Sequence, residues 1–238
     1  MPVDDGNLNT TRLVPVWDWA IRLFHLALVL AIGGLWYTAE FGMGFDFPME
    51  WHARLGYCVL GLVSFRLIWG LVGAGHARFA NFLVSPARTW RYGRAFLARR
   101  SPSYAGHNPL GGWMVMALLL TLLVQGVSGL FSTDDILFDG PLREWGSPAL
   151  VAVLNWLHHN NITVLWVLIA LHLLAVMWHA FQGENLIAAM LTGKKSFSSV
   201  QEVHDIERGY QRCAPIVPCL LAVFVIGIVG SAIWLTIR

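Results

Sequence analysis

The chain has 238 residues, 56% of them hydrophobic and 13% charged, with a formal net charge of +2. Soluble domains usually carry about twice that charged fraction, so an ordinary soluble domain is excluded. A near-neutral balance with so few charges also gives no reason to expect a nucleic-acid partner.

In chain order, residues 1–19 are polar and lack a short apolar region followed by a small-residue cleavage site, so no cleaved leader is expected. The segment VWDWAIR reads as an interfacial cluster, with Trp17, Trp19 and an i,i+4 pairing of Asp18 with Arg22. Five apolar runs follow, at roughly Ala20–Thr38, His52–Val72, Gly112–Phe131, Leu157–Phe181 and Ala214–Ile237. Runs of this length read as membrane-spanning helices, and they are too long and continuous for barrel strands. The expected class is an all-α, polytopic membrane protein.

Between the second and third runs, Pro86, Pro102 and Pro109 punctuate a loop containing ARTWRYGRAFLARR. Its helical spacing suits either a surface helix whose arginines face anionic headgroups or a solvated basic loop. That connection carries Arg78, Arg88, Arg91, Arg94, Arg99 and Arg100 and no acidic residue. The first connection carries Glu40, Asp46 and Glu50. The third carries Asp134, Asp135, Asp139 and Glu144 against Arg143. The positive-inside rule then places the arginine loop and the N-terminus in the cytoplasm, and both acidic loops and the C-terminus outside. Lys194, Lys195, Arg208 and Arg212 before the fifth run fit an inside position. Cys58, Cys213 and Cys219 form no Cys-x-x-Cys and read as packing residues.

The fourth run, LHHNNITVLWVLIALHLLAVMWHAF, carries His158, His159, His172 and His179. Ionisable side chains inside a span are costly and mark function by default. His158 and His172 are fourteen residues apart, so on a helix they share a face, about 40° out of register and about 21 Å apart. His159 lies off that face by about 100°. His52 opens the second run at the outer surface, where His158 opens the fourth, and His25 lies at the depth of His172. Two pairs follow, His52 with His158 outside and His25 with His172 inside. Paired neutral imidazoles from facing helices are axial ligands for haem iron. Zinc would call for three or four ligands, often including Cys or a carboxylate, and neither level offers an acidic companion. Gly33, Gly34, Gly56 and Gly61 leave room for a flat macrocycle. Arg66, fourteen residues after His52, is an intramembrane arginine that needs an anion, and a haem propionate suits it. Arg22 and Arg54 are further propionate candidates, or interfacial residues reaching for water. His179 faces inward, where it would line a quinone pocket, bond a propionate or reach the interface. His76, His107 and His204 are expected to be solvated loop residues.

These motifs resemble the bacterial cytochrome b561 family and, more closely, the b-type cytochrome subunits of nickel–iron hydrogenases. The similarity lies in VWDWAIRLFHLAL, WHARLGYCVLGLVSFRLIWG, GHNPLGG, the His158-x13-His172 pair and GENLIAAMLTGKK, over about residues 12–195. It implies a four-helix transmembrane bundle holding two b haems with bis-histidine ligation by His25, His52, His158 and His172. Residues 1–192 would form that bundle, and residues 193–238 a cytoplasmic loop and a fifth transmembrane helix outside the common core. The resemblance also implies electron exchange between membrane quinone and a partner protein.

The expected role is an electron-transfer subunit of the bacterial inner membrane. Its expected partners are the lipid bilayer, quinone, and an external c-type cytochrome or hydrogenase-like redox protein, with homo-oligomer formation left open. With both axial positions filled, a haem relays electrons and does no bond chemistry. A superoxide:quinone oxidoreductase of the b561 type is the alternative, and the acidic outer loops count against it because superoxide is an anion. A transporter with histidines lining a proton path is a third reading.

Overall fold

The computed structural model describes residues 11–41, 49–133, 138–198 and 203–207. The fifth apolar run, with Cys213 and Cys219, lies outside the described residues.

Four long helices dominate. Helix α1 (Trp19–Phe41) starts where Asp18 Oδ1 accepts a hydrogen bond from the Ile21 amide at 2.7 Å, satisfying one of the donors that a helix start leaves open. Helix α2 covers Met49–Val72. The short α3 (Phe79–Phe82) and the basic α4 (Pro86–Leu97) follow. Helix α5 (Pro109–Gly129) is capped by Asn108, whose side chain accepts from the Gly111 amide at 2.7 Å. Helix α6 (Pro148–Phe181) is capped by Ser147 and has Pro148 in its first turn. Helix α7 (Leu186–Thr192) ends at Gly193, whose φ of 78° is left-handed and free of Cβ strain only for glycine.

Helices α1, α2, α5 and α6 are each long and apolar enough to cross a bilayer, and the protein is a multi-pass membrane protein. Their outer faces carry exposed large side chains such as Leu30 (67%) and Leu174 (58%), as a lipid-facing surface requires. The core takes side chains from every span: Phe24 and Ala31, Val59 and Val63, Leu119 and Leu122, and Leu165. Helix α1 packs on α2, α2 on α5, and α5 on α6. Backbone contact between α6 and α1 or α2 is sparse.

The fourth span departs from its expected start. The polar His158–Asn161 stretch looks like a membrane edge, but the Ser147 cap starts α6 at Pro148 and PALVAVLNWL continues the same helix. At 34 residues and about 1.5 Å per residue, α6 is about 51 Å long, longer than a hydrocarbon core of about 30 Å. His158 therefore sits ten residues inside the helix instead of opening it.

The all-α expectation holds for the spans and needs correcting at one end. Strand β1 (Thr11–Pro15) pairs antiparallel with β3 (Lys194–Ser198). Strand β2 (Ser103–Tyr104) pairs in parallel with β4 (Val203–His204). These two small sheets gather the N-terminal segment, the arginine-rich connection and the segment after α6 at one end, around Val14, Val16, Ala105 and Phe197. At that end α4 buries Tyr92, while Trp90 and Leu97 are 71% and 83% exposed. Arg88, Arg91 and Arg94 are exposed as well.

Candidate functional site

Helix α6 carries His158 and His172. His172 lies within electrostatic reach of His25 on α1, and His158 within reach of His52 on α2. The members of each expected pair are thus neighbours, although His158 lies within α6 and does not open it.

Hydrogen bonds orient the pair at the acidic-loop end. The Thr38 hydroxyl donates to main-chain oxygens of its own helix, Gly34 at 2.9 Å and Leu35 at 3.1 Å. It can then accept from His52 Nδ1–H at 3.1 Å. His158 Nδ1–H donates to the Gln125 carbonyl at 3.0 Å, while Gln125 Nε2 donates to the His158 carbonyl at 2.9 Å. Asn161 Nδ2 in turn donates to Gln125 Oε1 at 2.8 Å. With Nδ1 protonated in both rings, each Nε2 keeps its lone pair, the state a metal ligand needs. Gly129 makes this approach possible: a Cβ there would stand 2.9 Å from His158 Cε1. Thr38, Gln125 and Gly129 escape sequence reading because their role depends on helix rotation and contact.

His159 is exposed, and its Nδ1–H donates to the Asn155 carbonyl of its own helix at 2.8 Å. The neighbouring histidines therefore have different surroundings, as their angular offset implies.

The arginines differ sharply. Arg66 is 3% exposed, its guanidinium lies 4.9 Å from the Phe79 ring centre, and its Nη1 has no hydrogen-bond partner among the described residues. A carboxylate does act on it electrostatically, that of Asp18 just before α1. Both Asp18 oxygens are engaged elsewhere, by the Ile21 amide and by Trp69 Nε1 at 3.0 Å. The expected Asp18–Arg22 pair is therefore replaced by these bonds. Arg22 reaches instead to the carbonyls of Met190, at 3.1 Å, and Leu191, which the end of α7 leaves open. Arg54 pairs with Glu50 at 3.4 Å and covers the Trp51 ring, yet its buried Nε has no partner among the described residues.

His179 ties loops together. Its Nδ1 bonds Glu184 Oε2 at 2.9 Å and its Nε2 faces Asn108 Nδ2 at 3.4 Å. Neither nitrogen is left over for a propionate in this arrangement. Lys195, 6% exposed, completes the cluster with bonds to Glu184 at 3.2 Å and to the Tyr104 carbonyl at 3.0 Å.

Two loop histidines are not solvated. His76 is 3% exposed and faces Asp205 at 3.4 Å. The His107 ring packs between Trp17 and Phe82, with ring centres 4.7 and 4.6 Å away. Burial, then Arg66, His76 and His172 nearby, push its pKa down to about 3. Polar loop sequence hides this, because the burial comes from aromatic residues distant in the chain. His204 is exposed, as expected, and stacks on Tyr104.

The sequence model of the prokaryotic cytochrome b561 family matches residues 16–193. The chain belongs to that family. Among individual relatives, it is 24% identical to a probable Ni/Fe-hydrogenase B-type cytochrome subunit of Rhizobium leguminosarum bv. viciae, over 79% of this chain and 88% of the relative. It is 28% identical to the protein of the same description from Azotobacter vinelandii, over 77% and 89%. No solved structure matches the chain.

A b561-family protein is a membrane cytochrome b that works in electron transfer, and the family implies haem b. The residues here suit such a group. His52 and His158, bonded through Nδ1, keep their Nε2 lone pairs, and Nη1 of the buried Arg66 has no hydrogen-bond partner among the described residues. Gly56, one turn beyond His52, has nothing within 4 Å of where a Cβ would stand. Gly33 also borders open space, whereas Gly34 abuts Leu55. Among the described residues no cluster of three or more His, Cys, Asp or Glu could hold a metal ion by itself. Two-ligand levels suit an iron whose other four ligands come from a macrocycle.

Proposed function

We propose that this protein holds two b haems, ligated by His52 with His158 and by His25 with His172, and carries electrons across the membrane between quinone and a redox partner. One observation carries the reading: α6 carries two histidines at a spacing that puts them on one face, each within electrostatic reach of a histidine of α1 or α2. When bound, a haem ligated on both faces supplies one-electron transfer with no open coordination position.

The protein's own residues do the rest. Thr38 and Gln125 hold the rings of His52 and His158 and fix their tautomers. Arg66 provides the counter-charge for a propionate on the inner side, and Arg54, with its unpartnered Nε, is the corresponding group near His52. Arg22 serves α7. The apolar side chains around both levels exclude water. Positive-inside sorting places the sheet-bearing, arginine-rich end in the cytoplasm of a bacterial inner membrane. The two relatives, each described as a hydrogenase cytochrome subunit, favour a hydrogenase-like partner at the acidic outer face over a c-type cytochrome.

Transmembrane transfer is the testable core. In proteoliposomes with ferricyanide trapped inside and a quinol analogue added outside, the protein should reduce the trapped oxidant. The His172→Ala variant should not. Equal rates with and without His172 would refute the proposal.

A further inference from the structure

Three buried polar atoms near the inner pair lack partners among the described residues: Arg66 Nη1, His76 Nε2 and His107 Nδ1. They belong to one cluster. Arg66 lies against Phe79, Phe79 against Phe82, and Phe82 against His107. Trp17 touches both His107 and His76. His107 is within electrostatic reach of Arg66, His76 and His172 together. Leaving one buried donor unsatisfied costs about 1–3 kcal/mol, and more for a charged group. Arg66 Nη1 and His107 Nδ1, within electrostatic reach of each other, point to something that accepts hydrogen bonds and carries negative charge.

Among the described residues, the nearby carboxylates do not meet this need. Asp18 is committed to the Ile21 amide and Trp69. Asp205 takes the Ala105 amide on Oδ1 at 3.0 Å and His76 Nδ1 on Oδ2 at 3.4 Å. That second contact leaves His76 Nε2 as the outward atom. The backbone is also shaped around this ring, because a Cβ on Gly106 would stand 2.5 Å from His76 Nδ1.

We propose that Arg66, His76 and His107 form a buried carboxylate-binding pocket that takes a propionate of the haem ligated by His25 and His172. The proposal rests on the di-haem reading above and adds His76 and His107 as cofactor-binding residues. Arg66 supplies the charge, His107 Nδ1–H supplies a directed hydrogen bond from the loop before α5, and His76, whose Nδ1–H is on Asp205, supplies one from Nε2 as the imidazolium that bridges Asp205 and the propionate. The loops are thereby tied to the inner haem, so its loss would loosen the cytoplasmic end.

The test uses the full-length holoprotein loaded with haem carrying 13C-labelled propionates, and reads redox-difference infrared spectra. His107→Phe keeps an aromatic ring between Trp17 and Phe82, and Arg66→Lys keeps the charge. Each should shift an isotope-sensitive carboxylate band and lower the retention of one haem. That haem is identified as the one missing from His25→Ala. Unchanged propionate bands in both variants, with two haems retained, would overturn the pocket and leave the di-haem reading standing. A carboxylate band that responds to the variants but not to the isotope would mean a free carboxylate occupies the pocket, and would also overturn it. Absence of any bound haem would remove the di-haem reading and the pocket together.

Discussion

Replacing Thr38 with Val removes the hydroxyl that faces His52 Nδ1–H at 3.1 Å, with little change in volume, and leaves the Leu35 backbone as the acceptor for His52. Thr38 is 8% exposed, so water cannot easily take the hydroxyl's place. Losing one hydrogen bond of a pair shared with the backbone costs about 0.5–1.5 kcal/mol. Since each factor of ten in affinity corresponds to about 1.4 kcal/mol, the haem held by His52 and His158 should bind about 2–10-fold more weakly. That is at or below the low end of what outer-shell partners of metal-ligating histidines contribute, about 10–100-fold. Transfer of haem from the purified protein to an excess of a haem-scavenging apoprotein measures this directly. One haem should leave faster in Thr38→Val and the other at the wild-type rate, while Thr38→Ser should behave as wild type. If Val leaves both haems as tightly held as before, or loosens both alike, the tautomer argument for the outer pair is wrong.

Other outcomes follow from the same geometry. His25→Ala and His172→Ala should each abolish the same haem and spare the other, seen as a halved absorbance at the b-haem α-band. His158→Ala should lose one haem where His159→Ala loses none; the reverse result would exchange their roles. Gly129→Val places a Cβ 2.9 Å from His158 Cε1 and should weaken the His158 haem while leaving the His172 haem in place. At the other end, burial pushes the Glu184 carboxyl up, but His179 and Lys195 outweigh it and hold the pKa below its ordinary 4.5. A depressed carboxyl pKa stabilises the fold above the ordinary value, and that contribution disappears as pH falls through the lower, folded-state value. Thermal unfolding in detergent should therefore show a Tm that drops below pH 4.5 in wild type and more shallowly in Glu184→Gln. Identical acid profiles would show that the cluster contributes nothing.

Periodicity and hydropathy carried much of this structure. His158 and His172 could be placed on one face of a helix from their spacing alone, whereas the depth match for their partners took His158 as the start of a helix that begins at Pro148. The arginine-rich stretch read as helical and forms α4 for the same periodic reason. Contacts between distant segments were not legible. The strands are too short to carry a pattern and exist because β1 and β3, far apart in sequence, meet beside the bundle. His76 and His107 looked like solvated loop residues because nothing local announces that Trp17, Phe82 and Asp205 enclose them. The Asp18–Arg22 spacing was right for an ion pair, yet Trp69 and the end of α7 compete more effectively for the two side chains.

The central claim is that four histidines form two haem sites. Pyridine haemochrome titration of the purified protein against its measured chain concentration tests it most directly, with low-temperature EPR to read the ligands. The account predicts two b haems per chain, both low-spin with two imidazole ligands. A single haem, or none, would contradict it.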